Sequence, residues 1–269
     1  MSEADEVLLQ DADGLARRLF GGNMKKRIAL TSQLLDICRR ARGQDFLIIH
    51  NPGGWGCDPL NELLAWERSI VDGVMATIER MGHGYVLMQY FRSGRSFWTR
   101  IRNMKEEARL AFKGQSQMAR LMAAELEFIT KHFPNLKIIM VGVSQGAAFS
   151  NTVMRQIADL PRVYSIELGI VFFHLSRRVI TARTLAIDGN GVVPDPITHR
   201  NLKIGLKAYI TAPSRWVKYR LEGKPRKFTY CINAPGHDYN WEYPGVSHKI
   251  EDFLKSKFGV KDKLEVGSK

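Results

Sequence analysis

From Asp45 onward, short apolar runs alternate with segments whose apolar residues recur at helical spacing. This alternation limits the fold more than any other feature of the chain, because it is the signature of a parallel sheet covered by helices. Six runs read as strands: Phe46–His50, Tyr85–Tyr90, Lys137–Val141, Tyr164–Phe173, Thr184–Asp188 and Phe228–Asn233. Leu47-Ile48-Ile49 and Ile138-Ile139-Met140-Val141 are uninterrupted, as strands buried on both faces require. The expected architecture is α/β, a three-layer α/β/α sandwich around a mostly parallel sheet of about six strands.

Between the strands, Asp58-Pro59 reads as an N-cap followed by a first-turn proline. Beyond it, Leu60, Leu63, Leu64, Ile70, Val71, Val74, Met75 and Ile78 approximate one helix face, with Gly82 as the stop. Residues 96–133 exceed one ordinary crossover helix, and Gly114 is expected to split them. Further helices are expected to start near Gln145 and to run from Ile197 to Tyr209 and from Val246 to Phe258. The link from Phe173 to Thr184 is short for a crossover. The reading divides the chain into a basic helical extension (1–44), an α/β domain (45–258) and a tail (259–269).

The chain has 269 residues, 45% hydrophobic and 25% charged. That is ordinary globular composition, with length enough for a sizeable core, and it excludes disordered and fibrous classes. No apolar run reaches the ~18 residues of a membrane span. The start MSEADE lacks the basic and apolar regions of a secretory signal. Cys38, Cys57 and Cys231 are too few for a disulfide framework, which points to reduced thiols in the cytoplasm. The net charge of +13 gathers in two stretches. One runs from Arg17 to Arg42; the other holds Lys203, Lys207, Arg215, Lys218, Arg220, Lys224, Arg226 and Lys227, with Glu222 its one acid. Basic helices with apolar faces suit an anionic membrane surface or nucleic acid, but no aromatic-studded nucleic-acid motif is present and no nucleic acid is expected. Met24–Arg42 can place Ile28, Leu35 and Cys38 near one face. Two readings of that face stand: weak peripheral binding at the inner face of the membrane, or packing against the sheet.

Lys137-Ile138-Ile139-Met140-Val141 leads into Gly142-Val143-Ser144-Gln145-Gly146, and a helix-forming run follows. This is G-x-S-x-G with a strand before it and a helix after it, the context in which the serine sits on a strained turn with Oγ exposed. The flanking glycines leave room where a side chain would strike a neighbouring element, and the helix N-terminus aims its free N–H groups at the same spot. With this motif, Pro235-Gly236-His237-Asp238-Tyr239 after the last strand and the strand–helix order, residues 45–258 resemble the α/β-hydrolase superfamily of serine esterases and lipases. Two departures stand out: the first two antiparallel strands are missing, and no cap domain fits between the fourth and fifth strands.

The resemblance implies a triad in the chain order serine, acid, histidine. Ser144 is the nucleophile. His237, at a strand end, is preferred as base over His248, which falls inside the final helix. Asp188, which ends a strand, is the first choice of acid, with Asp195 second and Asn190 third. The oxyanion donors would be the backbone N–H of Gln145 and that of Gly53 or Gly54, in the loop His50-Asn51-Pro52-Gly53-Gly54-Trp55-Gly56. No metal-ligand spacing such as H-E-x-x-H occurs, so no metal or cofactor is assigned. Trp55, Phe91, Phe97, Trp98, Tyr239, Trp241 and Tyr243 are placed to line an apolar acyl pocket or to cap the sheet ends as minor core. Two function classes follow. One is a serine hydrolase cleaving a small carboxylic ester or thioester through an acyl-enzyme. The other is a non-catalytic relative that binds with the same fold and basic surface.

Overall fold

The computed structural model describes residues 3–94, 109–110, 114–200, 202–223, 231 and 234–260. The fold is α/β. Five parallel strands, β1 (Phe46–Asn51), β2 (Tyr85–Gln89), β3 (Lys137–Val143), β4 (Val163–Leu168) and β5 (Thr184–Ile187), lie in the order β2-β1-β3-β4-β5. The described helices are α1 (Glu3–Phe20), α2 (Met24–Ala41), α3 (Ala65–Arg80), α4 (Gln117–His132), α5 (Gln145–Met154), α6 (Leu202–Leu221) and α7 (Pro244–Phe258).

Strand alternation divides the core into two layers. Leu47, Ile49, Ile138 and Met140 pack with α4 and α5 through Met122, Leu126, Ile129, Phe149 and Val153. Phe46, Ile48, Ile139 and Val141 face the other way, onto Ile70, Val74 and Ile78 of α3 and Val246, Ile250 and Leu254 of α7. All six residues of β1 are buried, as its uninterrupted apolar run requires.

Several boundaries differ from the sequence reading. Asp58-Pro59 opens only a 3-10 turn, Leu60–Glu62, and α3 starts later, after Leu64. The strand expected to run to Phe173 stops at Leu168, because Gly169 turns at φ +57° and a 3-10 turn, Phe172–Arg177, follows. That turn, not a helix, makes the short link to β5. The helix expected over Ile197–Tyr209 runs instead over Leu202–Leu221. The strand expected over Phe228–Asn233 lies outside the described residues except for Cys231, which is buried. Most of residues 96–113, the first half of the split expected at Gly114, also lies outside them.

The two N-terminal helices share the first core layer. Leu8, Ala12 and Leu15 of α1 and Leu30, Leu34, Ile37 and Cys38 of α2 are buried in it. Ile28 is 59% exposed while Cys38 is fully buried, so the two do not share a face. The inward stripe is Leu30, Leu34, Ile37, Cys38 and Ala41. α2 also reaches the open edge of the sheet, where Arg40 Nη2 donates to the Leu87 carbonyl at 2.6 Å. A capped edge carbonyl is unavailable to another strand. Among the described residues, no helix is long and apolar enough to cross a membrane.

Candidate active site

The order β2-β1-β3 puts a topological switch between β1 and β3, and in open parallel sheets the crevice beyond the strand C-termini at such a point is the usual binding site. Ser144 sits there, between β3 and α5, with φ 54° and ψ −114°. This strained conformation is imposed by packing. A Cβ at Gly142 would lie 2.5 Å from the Gly146 carbonyl oxygen, and one at Gly146 would lie 2.0 Å from the Asn51 carbonyl oxygen. Only glycine at both positions lets α5 close onto β1 and β3. The Ser144 N–H donates to the Leu168 carbonyl at 2.8 Å, continuing the β3–β4 ladder into the turn.

Beyond the neighbouring β4, the His237 ring meets a carboxylate: Nδ1 lies 2.7 Å from Asp195 Oδ2. Gly169, the next residue after β4, makes room for this pair. A Cβ there would stand 2.9 Å from Asp195 Oδ2 and 2.5 Å from Tyr239 Cε2. Asp195 is fully buried and densely bonded. Oδ1 accepts from the N–H groups of Ile197 (2.8 Å) and Thr198 (3.3 Å). Oδ2 accepts from Tyr239 OH (2.5 Å) and Thr198 Oγ1 (3.0 Å). Burial pushes the Asp195 carboxyl up, but the bonds from His237, Tyr239 and Ile197 outweigh it and hold it below the ordinary value. An ionised carboxylate only accepts, so Nδ1 of His237 carries a proton, and in the neutral ring Nε2 is the nitrogen with the lone pair. Trp66 and Tyr239 flank the ring edge-on, with centroids 6.4 and 5.9 Å away.

Asp188, the first-choice acid, is not at the histidine. Both its oxygens accept from Arg178 Nη1 at 2.7 Å, and Arg178 Nε donates to the buried Glu167. Asn190, the third choice, is a turn former: its Oδ1 accepts from Val192 and Val193 N–H, and its Nδ2 donates to the Asp238 carbonyl. That turn and the antiparallel bridge Gly189–Pro194 fold the chain back, returning Asp195 to the end of β5. His248 is exposed on α7.

The loop after β1 packs on the other side of β3, where a Cβ at Gly53 would lie 3.5 Å from the Val143 carbonyl oxygen. The Gly53 N–H is not open to a ligand, because it donates to Glu67 Oε1 at 2.9 Å. Gly54 lies at φ +52°, and among the described residues its N–H donates to no acceptor. Glu67 and Arg92, the charged groups buried around this loop, escaped the sequence reading. One lies within an amphipathic helix and the other in a loop, and neither has a motif.

The aromatic set divides. Phe91 is 44% exposed and Trp55 half-buried. Tyr239 is committed to Asp195, Tyr243 OH donates to Asp238, and Trp241 fills the space above Gly73 of α3. Phe97 and Trp98 lie outside the described residues. Among the described residues, no group of three or more His, Cys, Asp or Glu is arranged to hold a metal ion.

No protein-family model matches this chain, and no curated protein does. Among solved structures it is similar to Trichoderma reesei cutinase in complex with a C11Y4 phosphonate inhibitor, with a TM-score of 0.45 and 9% identity over 94% of this chain and 93% of that one. A likeness of that size identifies no family.

Proposed function

We propose that this chain is a serine hydrolase that cleaves a carboxylic ester or thioester through an acyl-enzyme intermediate. The observation that carries the reading is the His237–Asp195 contact over β4, beside the strand end that bears Ser144 in its strained turn. In this reading Ser144 Oγ attacks the carbonyl carbon and His237 Nε2 takes its proton. Asp195 holds the ring and stabilises the imidazolium without being protonated. The oxyanion accepts from the backbone N–H groups of Gln145, at the start of α5, and Gly54. The intermediate collapses, the C–O or C–S bond breaks, and His237 returns the proton to the departing alkoxide or thiolate. Water, activated by the same imidazole, then releases the acid and restores Ser144. Trp55, half-buried on the loop after β1, supplies apolar surface for the acyl group. The irregular acid segment is what favours a non-catalytic relative, and the Asp195 contact with His237 supports the hydrolase reading instead.

Turnover of p-nitrophenyl butyrate and of a short acyl thioester tests this. Ser144→Ala and His237→Ala are each expected to lower kcat by about 10⁴-fold or more while the fold persists. Folded variants with wild-type turnover would contradict the assignment.

A further inference from the structure

We propose that Glu67 and Arg92 are positioning residues that grip the loop after β1 from opposite sides and aim the Gly54 N–H at the oxyanion. This rests on the hydrolase reading of Ser144.

The peptide units between Pro52 and Gly54 are held in turn. The Pro52–Gly53 peptide is held at both ends: its carbonyl accepts from Arg92 Nη1 at 2.7 Å, and its N–H donates to Glu67 Oε1 at 2.9 Å. No cis peptide is present, and in a trans unit these two groups point in opposite directions. The guanidinium and the carboxylate therefore hold the unit between them. Arg92 Nη2 also donates to the Gly54 carbonyl at 2.7 Å, and the Gly53 carbonyl accepts from Gly56 N–H at 3.0 Å. Among the described residues, the Gly54 N–H is thus the one polar backbone group from the Pro52 carbonyl to the Gly54 carbonyl that carries no bond. The bond from Gly56 to the Gly53 carbonyl holds that same trans peptide unit, so the Gly54 N–H points the opposite way.

Both grips are themselves held. Leu60 N–H donates to Gln89 Oε1 at 2.8 Å, which turns Gln89 Nε2 toward His50 Nδ1 at 3.1 Å. An amide nitrogen only donates. His50 therefore accepts at Nδ1 and carries its proton on Nε2, which donates to Glu67 Oε1 at 3.1 Å. Arg92 lies in the space a Cβ at Gly56 would take, 2.6 Å from its Cζ, and over the Phe149 ring at 5.5 Å. Burying a carboxylate and a guanidinium is costly, and a glycine turn needs neither. What they provide is charge-assisted bonds to both ends of a peptide, in the form of a rigid donor in place before the reaction begins.

The test uses the full-length chain, with p-nitrophenyl butyrate turnover beside inhibition by a trifluoromethyl ketone. Serine adds to that carbonyl and leaves the oxyanion in place as a transition-state mimic. Glu67→Ala and Arg92→Ala are expected to lower kcat by about 10²–10³-fold, the usual effect of losing one oxyanion donor. KM should move far less, and ketone affinity should fall in step with kcat/KM. Glu67→Gln keeps an oxygen for the Gly53 and His50 donors and is expected to retain most of kcat. Where Glu67→Ala does not fold, Arg92→Ala carries the test. Folded alanine variants with wild-type kcat and ketone affinity, or losses that only track the folded fraction, overturn the proposal and leave the hydrolase reading standing. A wild type that neither turns over the ester nor binds the ketone overturns both.

Discussion

At the scale of single residues, Asp188 and Asp195 divide two tasks that chain order alone cannot separate. Asp188 directly follows β5, but its carboxylate is engaged by Arg178, at the end of the 3-10 turn after β4. Asp195 lies further along the chain and comes back to the strand end only because Asn190 and the Gly189–Pro194 bridge reverse the chain. Neither the Arg178 partnership nor that reversal has a spacing that sequence displays, whereas the sequence marks Ser144 by a motif and His237 by its place in the expected chain order. Asp195→Asn is expected to lower kcat by about 10⁴-fold, because the amide favours the wrong tautomer of His237. Asp188→Asn should lower the melting temperature by a few degrees and leave kcat within about threefold, since its carboxylate serves the buried Arg178 and not His237. Steady-state kinetics and thermal melts of the two variants check this, and the reverse ranking would contradict it. Glu125 of α4 makes a second residue-scale prediction. Burial raises its carboxyl from the ordinary 4.5 to about 8. Between those values the folded state holds a proton that the unfolded chain has released, so stability falls as pH rises from about 4.5 to about 8. Glu125→Gln keeps an acceptor for Gln33 and removes the titration. Urea midpoints at pH 5 and pH 8 should show the variant gaining on the wild type at the higher pH, and a pH-independent difference would contradict it.

At the scale of elements, the turn between β3 and α5 was readable because its demands are local. A strained serine needs small neighbours, and those neighbours are written as glycines on either side. Gly146→Ala would set a methyl 2.0 Å from the Asn51 carbonyl oxygen. It should cost at least the ~1–3 kcal/mol typical of overpacking, because a backbone atom cannot swing aside. Chemical denaturation checks this, and an unchanged midpoint would show that α5 does not close on β1 as described. Element ends were less legible. The Asp58-Pro59 pair is a sound helix start in isolation, yet the next residues make a single 3-10 turn whose Leu60 N–H serves Gln89. The apolar run after Leu168 looks like more strand, but Ile170 and Val171 leave the sheet to cover Ala147 and Ala148 of α5. In both places a long-range contact decides between local options of similar merit.

At the scale of the whole molecule, the layer order was legible because continuous apolar strands leave no other arrangement, while the place of the first two helices was not. Their charge drew attention to an anionic surface, but the apolar stripe of α2 is interior, and Arg40 caps the sheet edge. Removing residues 1–42 is expected to abolish the cooperative thermal transition, since Leu8, Leu15, Leu30, Leu34 and Ile37 leave one continuous core layer with the deletion. A truncated chain that melts like the full one would show that the helices are an appendage. The claim on which the functional reading depends is that Ser144 is an activated nucleophile served by His237 and Asp195. The direct measurement is mass spectrometry of the native chain after reaction with a fluorophosphonate, which needs no knowledge of the substrate. The expected result is a single covalent adduct on Ser144, lost in Ser144→Ala and strongly slowed in His237→Ala and Asp195→Asn. A folded chain that stays unmodified, or one whose adduct persists in Ser144→Ala, would contradict it.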